Sequence, residues 1–276
     1  AWVPAGTDFT NSVSDDNALR SLAVIRGGDP LVLSASSISR LLTCRFTYLL
    51  NDLFWIQEDE YAVDQDLYQL KGIFFHHVLE LIMEPGFWKD GPPWKNGQEY
   101  WEGFLQQRIG DAAATREERD TIPSWFLWQQ IKNEAKEKLT AFPAAFEKHF
   151  SGALPVKAEG TLHADFNEDV KLKGRTDLEL SLAGETWVVD HKSNLKISRQ
   201  RLNLTESSDP EVQMPFYLLL RGLSGRSEGY AAYFNIAECT FKIVNAPEDS
   251  SARPMVSSEE MEASIAILRR WIRDEA

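Results

Sequence analysis

Across 276 residues the chain carries 29 basic and 42 acidic side chains, a formal charge of −13, which repels a polyanion at long range and confines any nucleic-acid contact to a local site. A hydrophobic content of 43% can bury the core of one domain, or of one domain with a helical elaboration, and excludes disorder over most of the length. Two cysteines, Cys44 and Cys239, are too few for a disulfide framework, and with no apolar run near ~18 residues and no basic-then-apolar leader the expectation is a cytoplasmic protein without membrane contact.

Residues 1–30 are polar and rich in Gly, Asp and Ser, and read as an arm or linker. In "SSISRLLTCRFTYLLN", residues 36–51, the apolar positions fall near helical spacing behind a Ser-rich start, which predicts one helix. "QEDEYAVDQD", residues 57–66, holds five acids and reads as a solvated loop, with an acidic metal site as the alternative. Helical periodicity returns at 67–84 and stops at "EPGFWKDGPPW", where adjacent prolines cannot continue it. Helices are predicted at about 96–113 and 123–150, so residues 31–150 form a helical part.

From 151 to 276 the texture changes. "VKAEGTLHADF", "VKLKGRTDLELSL" and "TWVVDHKSN" run at strand lengths, separated by "NED" and "AGE" turns, and predict three consecutive antiparallel strands. A helix at about 209–223 is expected to open on Asp209-Pro210, followed by strands "EGYAAYFNI" and "TFKIVN" and a helix at 257–275. Cys239 is placed within a strand. The order is that of an α/β core with an N-terminal helical part.

The chemistry concentrates on the central hairpin. Residues two apart share a strand face, so Asp190 and Lys192 project together while Val189 and His191 point the other way. Asp177, on the neighbouring strand, can lie beside them. Two converging carboxylates resist burial unless a cation sits between them, and a hard divalent ion suits such oxygen ligands. A lysine there can neutralise charge developing on a phosphate. The alternative is an Asp–Lys salt bridge at a strand end, worth little if exposed. Glu159 stands on the preceding strand, and "GIFFHHVLELIM" sets Gly72, His76 and Glu80 one helical turn apart on one face. A lone helix histidine can equally be structural. Gln213 and Tyr217 are likewise one turn apart, and Tyr217 can equally be a core aromatic.

In this order the pieces resemble the PD-(D/E)XK nuclease superfamily, and its RecB-like and AddB-like branch in particular. The matching positions are Gly72, His76, Leu79 and Glu80 for G-x-x-x-H-x-x-L-E, Glu159 for the first core strand, Gly174 and Asp177 for G-x-x-D, Asp190 and Lys192 for D-x-K, and Gln213 and Tyr217 for Q-x-x-x-Y. The match spans about residues 34–235. What the resemblance implies is a restriction-endonuclease-like core, a central mixed β-sheet flanked by helices, and hydrolysis of a DNA phosphodiester by a metal-activated water. It makes Asp177, Asp190 and Lys192 catalytic and His76, Asp177 and Asp190 metal ligands, with Mg²⁺ or Mn²⁺ as the cofactor. The backbone carbonyl of His191 is a further implied ligand, its side chain being structural. Glu80, Glu159, Gln213 and Tyr217 would support the site or touch DNA, and His76 is favoured over His77, which lies about 100° around the helix.

Two departures stand out. Some relatives hold an iron–sulfur cluster on four cysteines, one on the entry helix and three near the C-terminus; Cys44 matches the first, and either the protein lacks the cluster or the chain was cut after "RRWIRDEA", just before the triplet would begin, so that no cluster is expected in this chain. The charge of −13 also opposes tight non-specific DNA binding, an objection removed if a basic helicase, fused or separate, is the partner. Three readings follow: an active DNA exonuclease of the repair and recombination type; a catalytically inactive DNA-binding or scaffold module of a helicase–nuclease complex; and a metal-dependent hydrolase of another substrate.

Overall fold

The computed structural model describes residues 30–54, 63–119, 122, 124–204, 210–227, 229–248, 250 and 252–275. The expected arm, Pro30 apart, and most of the acidic loop lie outside the described residues. Six strands form one mixed sheet: β1 (Leu31–Leu33), β2 (Leu154–Asp165), β3 (Val170–Leu182), β4 (Glu185–Lys192), β5 (Tyr230–Asn235) and β6 (Thr240–Asn245). The helices are α1 (Ala35–Thr43), α2 (Arg45–Tyr48), α3 (Val63–Ile82), α4 (Gln98–Arg119), α5 (Trp125–Leu139), α6 (Phe142–Phe150), α7 (Arg199–Leu202), α8 (Gln213–Leu223) and α9 (Ser258–Glu275). No helix among the described residues is long and apolar enough to cross a membrane.

The three antiparallel strands fall where alternation predicts them. Two turns set their register. Asn167 Oδ1 accepts from the backbone N–H groups of Asp169 (2.9 Å) and Val170 (2.8 Å), closing the β2–β3 connection. Ala183 and Gly184 both take positive φ, 54° and 86°, the backbone of a two-residue hairpin whose twist matches that of its strands. Leu182 therefore faces Glu185, and the pairing runs back to Leu178 opposite Val189. There it stops, one pair short of Asp177 and Asp190. β4 continues beside β5 in parallel as far as Lys192 opposite Asn235, so β3 and β4 diverge and the sheet forks.

β2 occupies one edge of β3 along most of its length. The other edge is shared: β4 takes Leu178–Leu182 and β1 pairs in parallel with Val170–Leu172. β1 was not anticipated, because three residues are too few to show alternation and its pairing is entirely long-range.

Helices cover both faces. On one, α3–α6 bury Phe74, Phe75, Val78, Trp101, Trp128, Phe142 and Phe146 against Leu178, Leu180, Val189 and Phe234 of the sheet. On the other, α8 and α9 pack with Val188, Ala231 and Tyr233, joined by Leu33, Ile38 and Tyr48 from β1, α1 and α2. The stretch 31–150, expected as a helical part, thus contributes a strand and is divided between the two faces.

Several helix limits differ from expectation for local reasons. The 36–51 helix breaks at Cys44, which takes an extended backbone (φ −156°) between α1 and α2, and the chain then passes through a π turn at Leu49–Leu53. Asp52 of that turn accepts from Arg40 Nε and Nη2 (both 2.7 Å) and from Ser37 Oγ (2.8 Å), tying it back to α1. α3 begins at Val63, inside the expected acidic loop. The 123–150 helix is two helices, because the ring of Pro143 clashes with the carbonyl four residues back, Leu139, where α5 ends. α8 starts at Gln213 rather than at Asp209-Pro210; Pro210 is coil, Asp209 lies outside the described residues, and Glu211 Oε1 accepts from the Gln213 N–H (3.2 Å). Ser257 and Glu260 form a reciprocal capping box at the start of α9 (3.1 and 2.8 Å). Cys239 sits on the β5–β6 turn with φ 49°, not within a strand.

A buried ion pair locks α8 to the sheet. Arg221 Nη1 donates to Glu179 of β3, with side chains 4% and 3% exposed. Arg221→Met should leave the Glu179 charge buried with the half-exposed Arg226, 3.7 Å away, and the Thr176 hydroxyl, 3.5 Å away, to answer it. We expect a loss of about 3–5 kcal/mol in urea unfolding, largely recovered in the Glu179→Gln/Arg221→Met double variant. A loss under about 1 kcal/mol would show that the pair is well solvated.

Candidate active site

The fork assembles the site. Asp177 is the first β3 residue beyond the β3–β4 ladder, and its carboxylate takes over the pairing: Oδ2 accepts from the backbone N–H of His191 at 2.6 Å. The same oxygen lies 3.5 Å from His76 Nδ1 and 4.0 Å from His191 Nδ1. His76 comes from α3, which can approach because Gly72 has no side chain; a Cβ there would stand 3.3 Å from Ser193 Oγ just past β4. Of the two adjacent histidines it is His76 that reaches Asp177. His191 does point away from Asp190, as alternation requires, yet Asp177 extends across the fork to meet it. Among the described residues, His76, Asp177 and His191 are brought together with their donor atoms within 4.8 Å of one another.

Asp190 and Lys192 face α8. Gln213 links them: its Nε2 donates to Asp190 Oδ1 (2.6 Å) and to the Tyr217 hydroxyl (2.9 Å), while its Oε1 accepts from Lys192 Nζ (2.6 Å). Lys192 Nζ also stands 2.8 Å from Asp190 Oδ2. That contact is an ion pair without hydrogen-bond alignment, so Oδ2 is buried with a charge beside it and no aligned donor. Lys192 lies over the ring of Tyr233, 5.9 Å from its centroid. Gly174 lets α8 come this close, since a Cβ would meet Leu220 Cδ2 at 2.9 Å and Tyr217 Cε1 at 3.1 Å.

Glu159 and Glu80, expected as supports, are not in the group that His76 forms with Asp177 and His191. Glu159 occupies the β2 position across from Asp177, with a left-handed backbone (φ 50°), and its carboxylate pairs with Arg175. Glu80 follows His76 by one turn, half-buried, outside the group His76 forms with Asp177 and His191. The residues that sequence reasoning missed are Tyr233 under Lys192 and the His191 ring, whose partners are remote in sequence, and Glu211 just ahead of α8.

Burial dominates the electrostatics and its effect differs by group. It pushes the Asp190 carboxyl up to about 7, helped by the Asp177 charge and opposed by Lys192. Burial also works against Asp177, but the His76 contact, with the His191 ring and N–H, outweighs it and holds Asp177 at about 2. Burial pulls His191 down to about 4. It pulls on His76 as well, but the contact and charge of Asp177 prevail and leave that imidazole above its ordinary value. Tyr217 is raised by burial and then by Asp190.

His191 Nδ1, buried without a hydrogen-bond partner, stands 4.0 Å from the Asp177 carboxylate, and these two with His76 make a donor set that fits a divalent cation. A proton on the His76 imidazole, which against burial the contact and charge of Asp177 hold above its ordinary value, competes with the cation, so Mn²⁺ affinity should rise by up to about tenfold per pH unit as that proton leaves and level off above it. Calorimetry between pH 5.5 and 8.5 checks this, and a flat profile would contradict it.

A mixed sheet between helical layers, with carboxylates, a lysine and a helix-borne histidine at a fork, defines the class of metal-dependent hydrolases on a restriction-endonuclease-like core. The model of the PD-(D/E)XK nuclease superfamily matches residues 32–276, and the chain belongs to that superfamily. Its members are generally phosphodiester hydrolases that use divalent metal ions. Comparison with curated proteins returns no match.

Proposed function

We propose that this chain is a metal-dependent DNA nuclease of the RecB-like and AddB-like branch, working as an exonuclease in repair or recombination. One observation carries the reading: the sheet fork sets Asp177 and His76 on one side and the Asp190–Lys192–Gln213 cluster on the other, about a single pair of diverging strands. A divalent ion, when bound, supplies a Lewis acid for the phosphodiester and lowers the pKa of water. His76 and Asp177 hold it, with Asp190 beside them. Lys192 brings positive charge to the phosphate as negative charge grows there, and Gln213 keeps the ammonium and the Asp190 carboxylate in position.

A cleft of ≈ 680 Å³ opens beside Gln213 and Tyr217, in the gap between β1 and β4. Lys173 and Arg175 line it together with the Ser34 and Ser36 hydroxyls at the start of α1. Glu211 lines it too and Arg175 pairs with Glu159, so the donors it offers a nucleic-acid backbone are Lys173 and the serine hydroxyls, on a chain whose overall charge is −13. The proposed setting is cytoplasmic, beside a helicase, fused or separate, that supplies the remaining affinity.

End-labelled linear and covalently closed circular DNA, incubated with Mg²⁺ or Mn²⁺, tests the reading. Progressive shortening of the linear DNA with intact circles is expected. Nicked circles would make it an endonuclease, and intact substrates with both metals would favour an inactive module on the same fold.

A further inference from the structure

We propose that the His191 imidazole is itself a metal ligand, joining His76 and Asp177, and that this set of two nitrogens and one oxygen makes the site select a first-row transition metal over Mg²⁺. The inference rests on the metal-dependent reading above and goes beyond it in naming a ligand and a metal class.

The His191 ring is 4% exposed and stands edge-on to Phe234 and His76, with ring centroids 5.9 and 5.5 Å away. Its Nδ1 is buried and has no hydrogen-bond partner. A polar atom left so is destabilising, and in native structures such an atom has a reason. Asp177 Oδ2 at 4.0 Å is the acceptor Nδ1 faces, too far for a hydrogen bond but well placed to share an ion. Donors bound to one ion at about 2.0–2.2 Å stand no more than roughly 4.2 Å apart. The Asp177 to His76 and Asp177 to His191 separations, 3.5 and 4.0 Å, meet that limit. For all three donors to share one ion, the two imidazoles, within 4.8 Å of one another, have to close by up to roughly one ångström.

The metal class follows from the donors. Mg²⁺ takes oxygen in a near-ideal octahedron and keeps much of its water, whereas imidazole suits first-row transition metals. Asp190, which would complete an all-oxygen set, is held on the α8 side by Lys192 and Gln213.

Pulsed electron paramagnetic resonance of the full chain loaded with Mn²⁺ counts directly bound nitrogens. Two are expected, falling to one in His191→Phe, which fills the same apolar wall, and in His191→Gln, which serves if the phenylalanine variant does not fold. By calorimetry Mn²⁺ and Co²⁺ should each bind at least tenfold more tightly than Mg²⁺, and His191→Phe should remove most of that preference while shifting Mg²⁺ affinity less than threefold. A single nitrogen in the unsubstituted chain, or Mn²⁺ affinity unchanged in the variants, would overturn the inference and leave the nuclease reading standing. No binding of any of the three ions would overturn both.

Discussion

Asp177→Asn is expected to abolish DNA cleavage and to weaken Mn²⁺ binding by about a hundredfold or more, with the fold retained. The asparagine keeps an acceptor for the His191 N–H that the carboxylate now receives at 2.6 Å, so the fork survives. What goes is the one negative charge shared by His76 and His191. Burial argues against a charge there, and the partners alone keep Asp177 ionised, at about 2. A neutral amide facing two imidazoles offers a cation little, because coordination by an ionised oxygen supplies much of the binding energy for a hard or borderline ion. Circular dichroism and calorimetry on the same preparation separate the two effects. Unchanged Mn²⁺ affinity in a folded variant would remove Asp177 from the site.

The other large effect is expected at Lys192. Lys192→Met should cut the cleavage rate by roughly a hundredfold or more, the scale of one preorganised electrostatic group, with DNA affinity changed severalfold at most. Methionine keeps much of the stem and removes the charged head, which lies over the Tyr233 ring. A salt bridge with Asp190 is the competing account of this lysine, and the structure contains that pair at 2.8 Å. The two accounts predict different kinetics. A purely structural pair, when broken, destabilises the protein and leaves turnover of the folded fraction alone, whereas loss of a transition-state contact lowers kcat without a matching rise in KM. Parent-rate cleavage by folded Lys192→Met would leave the salt bridge as the whole role of Lys192.

How much of this was legible depends on how far apart in sequence the partners are. The hairpin was readable in full: period-2 alternation names the strands, and the short "AGE" turn names the connection, whose Ala183-Gly184 pair fixes the register. The glycine positions of the motifs have a physical reading as well, since a Cβ at Gly174 would press on Leu220 and Tyr217 of α8 and one at Gly72 would crowd Ser193 just past β4. Pro143 marked the α5–α6 break, and a stricter use of its clash with residue 139 would have split that helix. The single-helix expectation for 36–51 had no such marker, because the break at Cys44 is stabilised by the Arg40–Asp52 pair twelve residues apart.

By itself, then, the sequence determined the order of the five strands from β2 to β6, the β3–β4 hairpin, and the grouping of Asp190 with Lys192 on one strand face and His76 on a helix face. All of these follow from backbone periods and turn geometry that act within a few residues. The tertiary structure alone decided that β4 leaves β3 after Val189 to follow β5, that β1 takes the vacated edge, and that Asp177 bridges to His191 across the resulting fork. The alternation that turned His191 away from Asp190 was correct, but alternation describes one strand at a time. Which side chains meet where two strands part is set by parallel pairing and helix docking over scores of residues, and no local period encodes it.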